Sequence, residues 1–334
     1  MSNTPDVSVI MPVINEEQHL ADSVHRILSQ QYAGSIDVVI AVGPSKDRTR
    51  EVADELQRMD DRVTVVDNPT GRTPAGLNAA IAAAKGDVIV RVDGHAMIPS
   101  DYVAVAVETL ERTGADNVGG IMAAEGVTEF GNAVARAMTS KFGVGGASFH
   151  VGGVEGPALT VYLGTFRRSA LERVGGYDES MVRAQDWEMN LRIRETGGLI
   201  WFTPAMLVTY RPRATVGALA RQYHDYGRWR REVVRRHPDT LSLRYLAAPV
   251  AVAAIVLGLL LVVLGIALSQ PWLAILGLLP AVGYVLANVV ASVVSAVHAP
   301  RLKIGSAAWL PIVYGTMHMC WGAGFLRGGA GRDT

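Results

Sequence analysis

The chain has a single cysteine, Cys320, in 334 residues, which excludes an internal disulfide. It has no net charge, with 31 basic and 31 acidic residues, so no bulk electrostatic case for nucleic acid exists. The opening MSNTPDVSV lacks a basic stretch running into an apolar one, and no cleaved signal peptide is expected. No internal repeat is present, and low complexity is confined to the apolar C-terminal part. Charge runs out there: between positions 245 and 326 only Arg301 and Lys303 carry it, with His counted neutral. What is abundant is apolar side chain, 49% of the residues, more than a soluble core needs. A soluble part is therefore expected to precede a membrane part.

The soluble part alternates between two periods. VSVIMPVI at 7–14 suits a strand buried on both faces, and Leu20, Val24 and Ile27 follow at helical spacing. IDVVIAV at 36–42 repeats the strand signal, the turn GPSKDRT follows, Val52, Leu56 and Met59 mark a second helical face, and VTVV at 63–66 is a third strand. TPAGLNAAIAAAKG then reads as a complete helix, with Thr73 as cap, Pro74 at the first helical position and Gly86 as terminator. DVIVRVD is a fourth strand. Such alternation predicts an α/β fold with a mostly parallel sheet, whose ligands bind beyond the carboxyl ends of the strands. Asn15, the turn after Val42, and Asp93 with His95 all fall at such ends. Further on, GTFRRSALERVGGYDE predicts a strand end, a short helix and a Gly-Gly turn. AQDWEMNLRIRETGG predicts a loop entering a helix that stops at Gly197-Gly198, and LIWF is a strand.

Positions 245–268 and 271–297 carry no charged side chain, and each run is long enough to span a bilayer. Ser269-Gln270 leaves room only for a tight hairpin. Arg221, Arg228, Arg230, Arg231, Arg235, Arg236 and Arg244 precede the first run, and Arg301 and Lys303 follow the second. The positive-inside rule then puts both flanks, and the soluble part, in the cytoplasm. A third apolar run, 307–326, is either a further span, which would put Arg327 and Arg332 outside, or a re-entrant or interfacial segment. The expected organisation is a catalytic domain over 1–213, a basic amphipathic interfacial helix over 214–244 and a membrane region over 245–326.

Acids at strand ends are the candidates for chemistry: Glu16, Asp47, Asp93 and, later, Asp186. In an extended segment Asp93 and His95, two apart, point the same way and reach one ion. A carboxylate with an imidazole suits Mn²⁺ somewhat better than Mg²⁺. The alternative is that Asp93-Gly94 makes a turn and His95 is a polar loop residue.

In order along about 7–229, VIMPVINEE (with Pro12, Asn15 and Glu16), SKDRT, GLNAAIAAAKGDVIVRVDGH, VGGYDE and AQDWEMNLRIRETG match five segments of a known family. The chain resembles the family 2 inverting glycosyltransferases, which use nucleotide sugars on a GT-A fold. AVGPSKDRT, TPAGLNAAI, RVDGHA and the YGRW helix resemble its succinoglycan-type exopolysaccharide branch.

The resemblance implies a role for each matched residue. Pro12, Asn15 and Glu16 would lie at the nucleotide, Glu16 otherwise serving only the helix dipole. Val42-Gly43 stands where the family has acids, leaving Asp47 as base contact or helix cap. Asn78 would brace the phosphates or be a helix-surface amide. Asp93 and His95 would hold a divalent cation, Mn²⁺ or Mg²⁺, on the diphosphate. Asp186, preceded by Gln185 where the family has Glu, would be the catalytic base, an N-cap role being compatible. Trp187 and Glu188 would join the active-site rim. Arg228 and Trp229 would close over diphosphate and acceptor, or belong to a membrane-surface helix with Trp at the headgroups. Gln222 and Arg228 are six apart, so the Gln-x-x-Arg-Trp motif of processive synthases is unmatched.

The expected activity is transfer of a hexose, glucose from UDP-glucose, to a lipid-linked saccharide at the cytoplasmic membrane in cell-surface polysaccharide assembly. The alternatives are a polyprenyl-phosphate sugar synthase, a processive synthase, or an inactive sugar-binding scaffold.

Overall fold

The computed structural model describes residues 4–299 and 301–329; Arg332 and the first three residues of the opening segment lie outside these. In chain order the elements are β1 (Val7–Val13), α1 (Leu20–Leu28), β2 (Ile36–Val42), α2 (Thr49–Met59), β3 (Val63–Asp67), α3 (Thr73–Ala83), β4 (Val88–Arg91), α4 (Tyr102–Thr113) and β5 (Asn117–Ala124). Then come α5 (Glu129–Met138), α6 (Lys141–Val144), α7 (Ser148–Val151), β6 (Gly156–Pro157), β7 (Tyr162–Arg167), α8 (Arg168–Val174), α9 (Gln185–Glu195) and β8 (Ile200–Tyr210). The last helices are α10 (Val216–Arg236), α11 (Leu243–Ala267), α12 (Pro271–Val297), α13 (Ile304–Ala308) and α14 (Leu310–Arg327). The chain divides into two compact units. The first runs to Ala123 and resumes over Ala147–Tyr210; the second takes Ala124–Gly146 and everything from Arg211. Residues 124–146, expected within the catalytic domain, thus group with the second unit.

The first unit is built on one sheet of order β3-β2-β1-β4-β7-β5-β8-β6. β1 pairs in parallel with β2 and β4, and β2 with β3, whereas β7 runs antiparallel to β4. The side-chain period of two explains the apolar run in β1. Val7, Val9 and Met11 enter one core with Leu20, Val24 and Ile27 of α1, while Ile10 enters the other with Leu77 of α3 and Met189 of α9. Each fully buried aliphatic side chain of this kind contributes roughly 1.5–3 kcal/mol.

The α3 helix departs from its expected ends. Thr73 is its first residue, not its cap, and Arg72 stands at the N-cap without a side-chain bond. The helix stops at Ala83 because Ala84 is extended. Gly86 serves β1 instead: a Cβ there would lie 2.6 Å from the Ser8 amide nitrogen. The expected strand LIWF is the start of an eleven-residue strand.

The second unit is helical. α11 and α12, of 25 and 27 residues, are long and apolar enough to cross a membrane, by length and composition, and most of their large apolar side chains are exposed. They touch backbone to backbone, since a Cβ on Gly258 would lie 2.3 Å from the Gly277 carbonyl oxygen. Small residues at such a contact are how apolar helices pack without a hydrophobic driving force. α14 packs along α10 in the same manner, with Gly324 against the His224 carbonyl and Gly227 against that of Trp321.

Candidate active site

The carboxyl ends of β1 and β2 are tied together by side chains. Asn15, at φ +55°, donates its backbone N–H to Ser45 Oγ at 3.1 Å and accepts from the Lys46 N–H at 2.8 Å. Asp47 accepts from the Glu17 N–H at 3.2 Å and from the Thr49 N–H and hydroxyl at 3.1 and 2.6 Å. Burial raises its carboxyl, but these bonds taken together outweigh that and hold it below the ordinary value. Asp47 therefore fixes both loops, while Arg48 occupies the N-cap of α2. A Cβ on Gly43 would lie 3.2 Å from Gly71 Cα and 3.4 Å from the Val13 carbonyl oxygen. An acid at this position would have to displace backbone, which accounts for the Val42-Gly43 departure.

Pro12 explains why the sheet opens here. Ile10 accepts from the Val92 N–H, so even-numbered β1 residues face β4, and the paired register with β4 ends at Ile10↔Arg91. The N–H that Pro12 lacks falls where the partner strand has turned away.

That departing chain makes a turn. The Ala96 N–H donates to the Asp93 carbonyl at 2.8 Å, so the extended segment assumed for Asp93 and His95 is replaced by a tight turn over 93–96. The turn still presents both side chains. His95 Nδ1 lies 2.7 Å from Glu16 Oε1, and a Cβ on Gly94 would lie 3.0 Å from Glu16 Cγ, which sets Glu16 against the turn.

Arg91, which the sequence reading passed over, organises the centre. It ends β4 with its side chain only 6% exposed. Its Nε and Nη2 donate to Asp93 Oδ1 at 3.2 and 3.0 Å, and its Nη1 donates to Asp186 Oδ1. Burial alone would lower the Arg91 pKa, but the Asp186 and Asp93 charges raise it well above the usual value. Burial pushes the Asp186 carboxyl up, and Arg91 pulls against that. Asp186 lies in the first turn of α9, whose N-cap is Ala184 without a side-chain bond, so the capping role is not the one it fills.

Asn78 clamps the Gly-Gly turn beneath this centre. It accepts from the Tyr177 N–H at 2.8 Å and donates to the Tyr177 carbonyl at 2.9 Å and to Glu179 at 3.1 Å. Tyr177 is 3% exposed, and burial followed by the Asp186 charge raises its pKa. Glu188 turns inward, 4% exposed, onto Arg192 at 2.6 and 2.8 Å, whereas Trp187 is half-buried.

Arg228 and Trp229 belong to the second unit. Arg228 donates to the carbonyls of Gly328 and Gly329 at 3.3 and 2.9 Å, and Arg231 to those of Phe325 and Leu326 at 3.2 and 3.3 Å. These arginines satisfy the open carbonyls and negative dipole end of α14. Trp229 is 8% exposed, which is against the alternative with its ring at lipid headgroups.

Among the described residues no three His, Cys, Asp or Glu side chains converge as a cation cage. Asp93 Oδ1 is engaged by Arg91 and His95 Nδ1 by Glu16. One carboxylate oxygen and one imidazole fit an ion that arrives on a diphosphate and completes its shell with phosphate oxygens and water.

The family model for Glycosyl transferase family 2 matches residues 8–175. The chain is 34% identical over 321 residues, 96% of it and 93% of the relative, to the succinoglycan biosynthesis protein ExoA of Rhizobium meliloti (strain 1021). It is 25% identical over 240 residues, 69% of it and 74% of the relative, to a dolichyl N-acetyl-alpha-D-glucosaminyl phosphate 3-beta-D-2,3-diacetamido-2,3-dideoxy-beta-D-glucuronosyltransferase of Methanococcus voltae. In fold it is similar to a mannosyltransferase of Pyrobaculum calidifontis solved with GDP-Man and Mn²⁺, at a TM-score of 0.60 and 19% identity over 98% of this chain and 87% of that one. That likeness shows the GT-A fold. A family match over half the chain, together with a relative that spans nearly all of it, makes this protein a glycosyltransferase belonging to glycosyl transferase family 2.

Proposed function

We propose that the protein transfers a hexose, glucose from UDP-glucose, with inversion onto a lipid-linked saccharide at the cytoplasmic face of the membrane. One observation supports this reading: Asp93 and Asp186, the acids proposed for the diphosphate and the acceptor, are held by a single buried guanidinium. Asp186 takes the proton as the acceptor O–H breaks. The oxygen's electron pair forms the new bond to the anomeric carbon, and the bond to the diphosphate leaves with its own pair. Asp93 and His95 would hold Mn²⁺ or Mg²⁺, which when bound neutralises charge on the departing diphosphate. Asn15 and Glu16 line the nucleotide side of the crevice, and Trp187 its rim. The relative named for succinoglycan biosynthesis supports polysaccharide assembly, and the one named for a dolichyl-linked sugar supports a lipid-borne acceptor, for which a membrane-anchored enzyme is suited.

The same reading keeps α14 on the cytoplasmic side. Its contacts on α11 fall at the first residues, where Tyr245 stacks on Trp321 and Gly322 meets Ala248. On α12 they fall in the later half, where Asn288 donates to the Pro311 carbonyl at 2.9 Å and Ser295 meets the Tyr314 hydroxyl at 2.7 Å. Both are the cytoplasmic ends of a hairpin oriented by its flanking arginines.

Membranes carrying the protein are incubated with labelled nucleotide sugars and lipid acceptors, with Mn²⁺ or EDTA. Label from UDP-glucose should enter the lipid phase only with the metal, and Asp186→Asn should slow it on the order of 10³-fold. Binding of nucleotide sugar with no transfer under any condition would sink the proposal.

A further inference from the structure

We infer that Arg91 positions the base: it occupies Oδ1 of Asp186, so that Oδ2 alone meets the acceptor hydroxyl. The inference rests on Asp186 being the base. A guanidinium leaves water only where its charge is matched, and Arg91 sits in an otherwise apolar strand with two carboxylates on it. The guanidinium is planar and its donors are fixed relative to one another, so the two acids are set at one mutual distance and orientation. Tyr177, buried beside them and clamped through its backbone by Asn78, closes the cluster on its inner side.

The arrangement also keeps charge matched through the reaction. When Oδ2 receives the acceptor's proton, Asp186 becomes neutral, and Arg91 still has Asp93 as its counter-charge. When a cation rides in on the diphosphate at Asp93, Arg91 still has Asp186. A lysine cannot reproduce this, because one ammonium does not present parallel donors to two acids.

The test uses the full chain in its membranes, with Mn²⁺ and UDP-[14C]glucose, or the labelled nucleotide sugar that proves active in the transfer panel. Rates are measured for Arg91→Lys, Arg91→Gln, Asp186→Asn and the Arg91→Lys/Asp186→Asn double variant, and binding of UDP with Mn²⁺ is followed by calorimetry. Both Arg91 variants should lower kcat on the order of 10²-fold, with a much smaller loss, about tenfold at most, in UDP–Mn²⁺ affinity, because Asp93 loses the same partner. The double variant should be no slower than Asp186→Asn alone, as for residues acting as one unit. A fall in UDP–Mn²⁺ affinity matching the fall in rate, or losses that multiply in the double variant, overturns the inference. Undiminished transfer by Asp186→Asn overturns the base assignment instead. Thermal melts accompany each variant, and Arg91→Gln is read alone if the buried lysine prevents folding.

Discussion

The two units hold their parts together by opposite means. In the first, loops at the strand ends are joined by side chains: Asn15 and Asp47 between β1 and β2, Asn78 across to Tyr177, and Arg91 between two acids. In the second, helices meet at bare backbone, glycine against carbonyl, and arginines close a helix end. The difference follows from the surroundings. A crevice open to water can hold polar side chains in hydrogen-bonded frames and still admit a charged ligand. Apolar helices with glycines at their contacts can instead approach until backbone meets backbone, which is how such helices associate where apolar contact alone gains little.

The largest effect should come from crowding the second unit. A Cβ on Gly324 would lie 2.0 Å from the His224 carbonyl oxygen, so Gly324→Val should cost about 3 kcal/mol or more, seen as a lower melting temperature in detergent. An unchanged melt would mean that backbone contact is not what holds α14 to α10.

Asn78→Ala should cost the first unit roughly 1–3 kcal/mol through unpaired polar groups at Tyr177, and should slow transfer as well. Loss of stability with the rate intact would separate the clamp from the centre above it.

A smaller effect concerns acid. Hydrogen bonds from Arg235 pull Glu232 down to about 2, burial opposes them, and Arg236 adds to the lowering. A folded pKa below the ordinary value of about 4.3 means stability that is full above that value and is lost as pH falls towards 2. Melting temperature should therefore drop over that interval by more in the parent than in Glu232→Gln, in which other lowered acids such as Asp60 still respond.

The smallest is chemical. His95→Asp should keep the rate and shift the metal preference from Mn²⁺ towards Mg²⁺ a few-fold. If neither rate nor preference responds, His95 is not a ligand.

Much of this was legible in the linear chain, because the repeating elements are short and regular. Four parallel strands could be read from apolar runs, and the two long helices from missing charge. Motif order brought Asp93 and Asp186 into consideration though 93 positions apart. Arg91 was not seen: an arginine within VIVRV was a signal, but its meaning depends on an acid 95 residues away. Gly86 was misassigned because a glycine after a helix looks the same whether it ends that helix or makes room for a neighbouring strand. The second half of the sheet was read only in fragments, since it mixes antiparallel pairs, and no local period signals which strand sits beside which.

Two residues without the freedom of glycine sit in the left-handed region just ahead of the acids: Asn15 at φ +55° and Ala184 at φ +60°. Asparagine tolerates this, whereas alanine carries about 1–2 kcal/mol of unfavourable conformation. Selection for durability alone would find Ala184→Gly quickly, and selection for turnover would reject it, since it loosens the segment leading to Asp186. A single backbone angle thus sets a limit on how hardy the enzyme can become before it becomes slow.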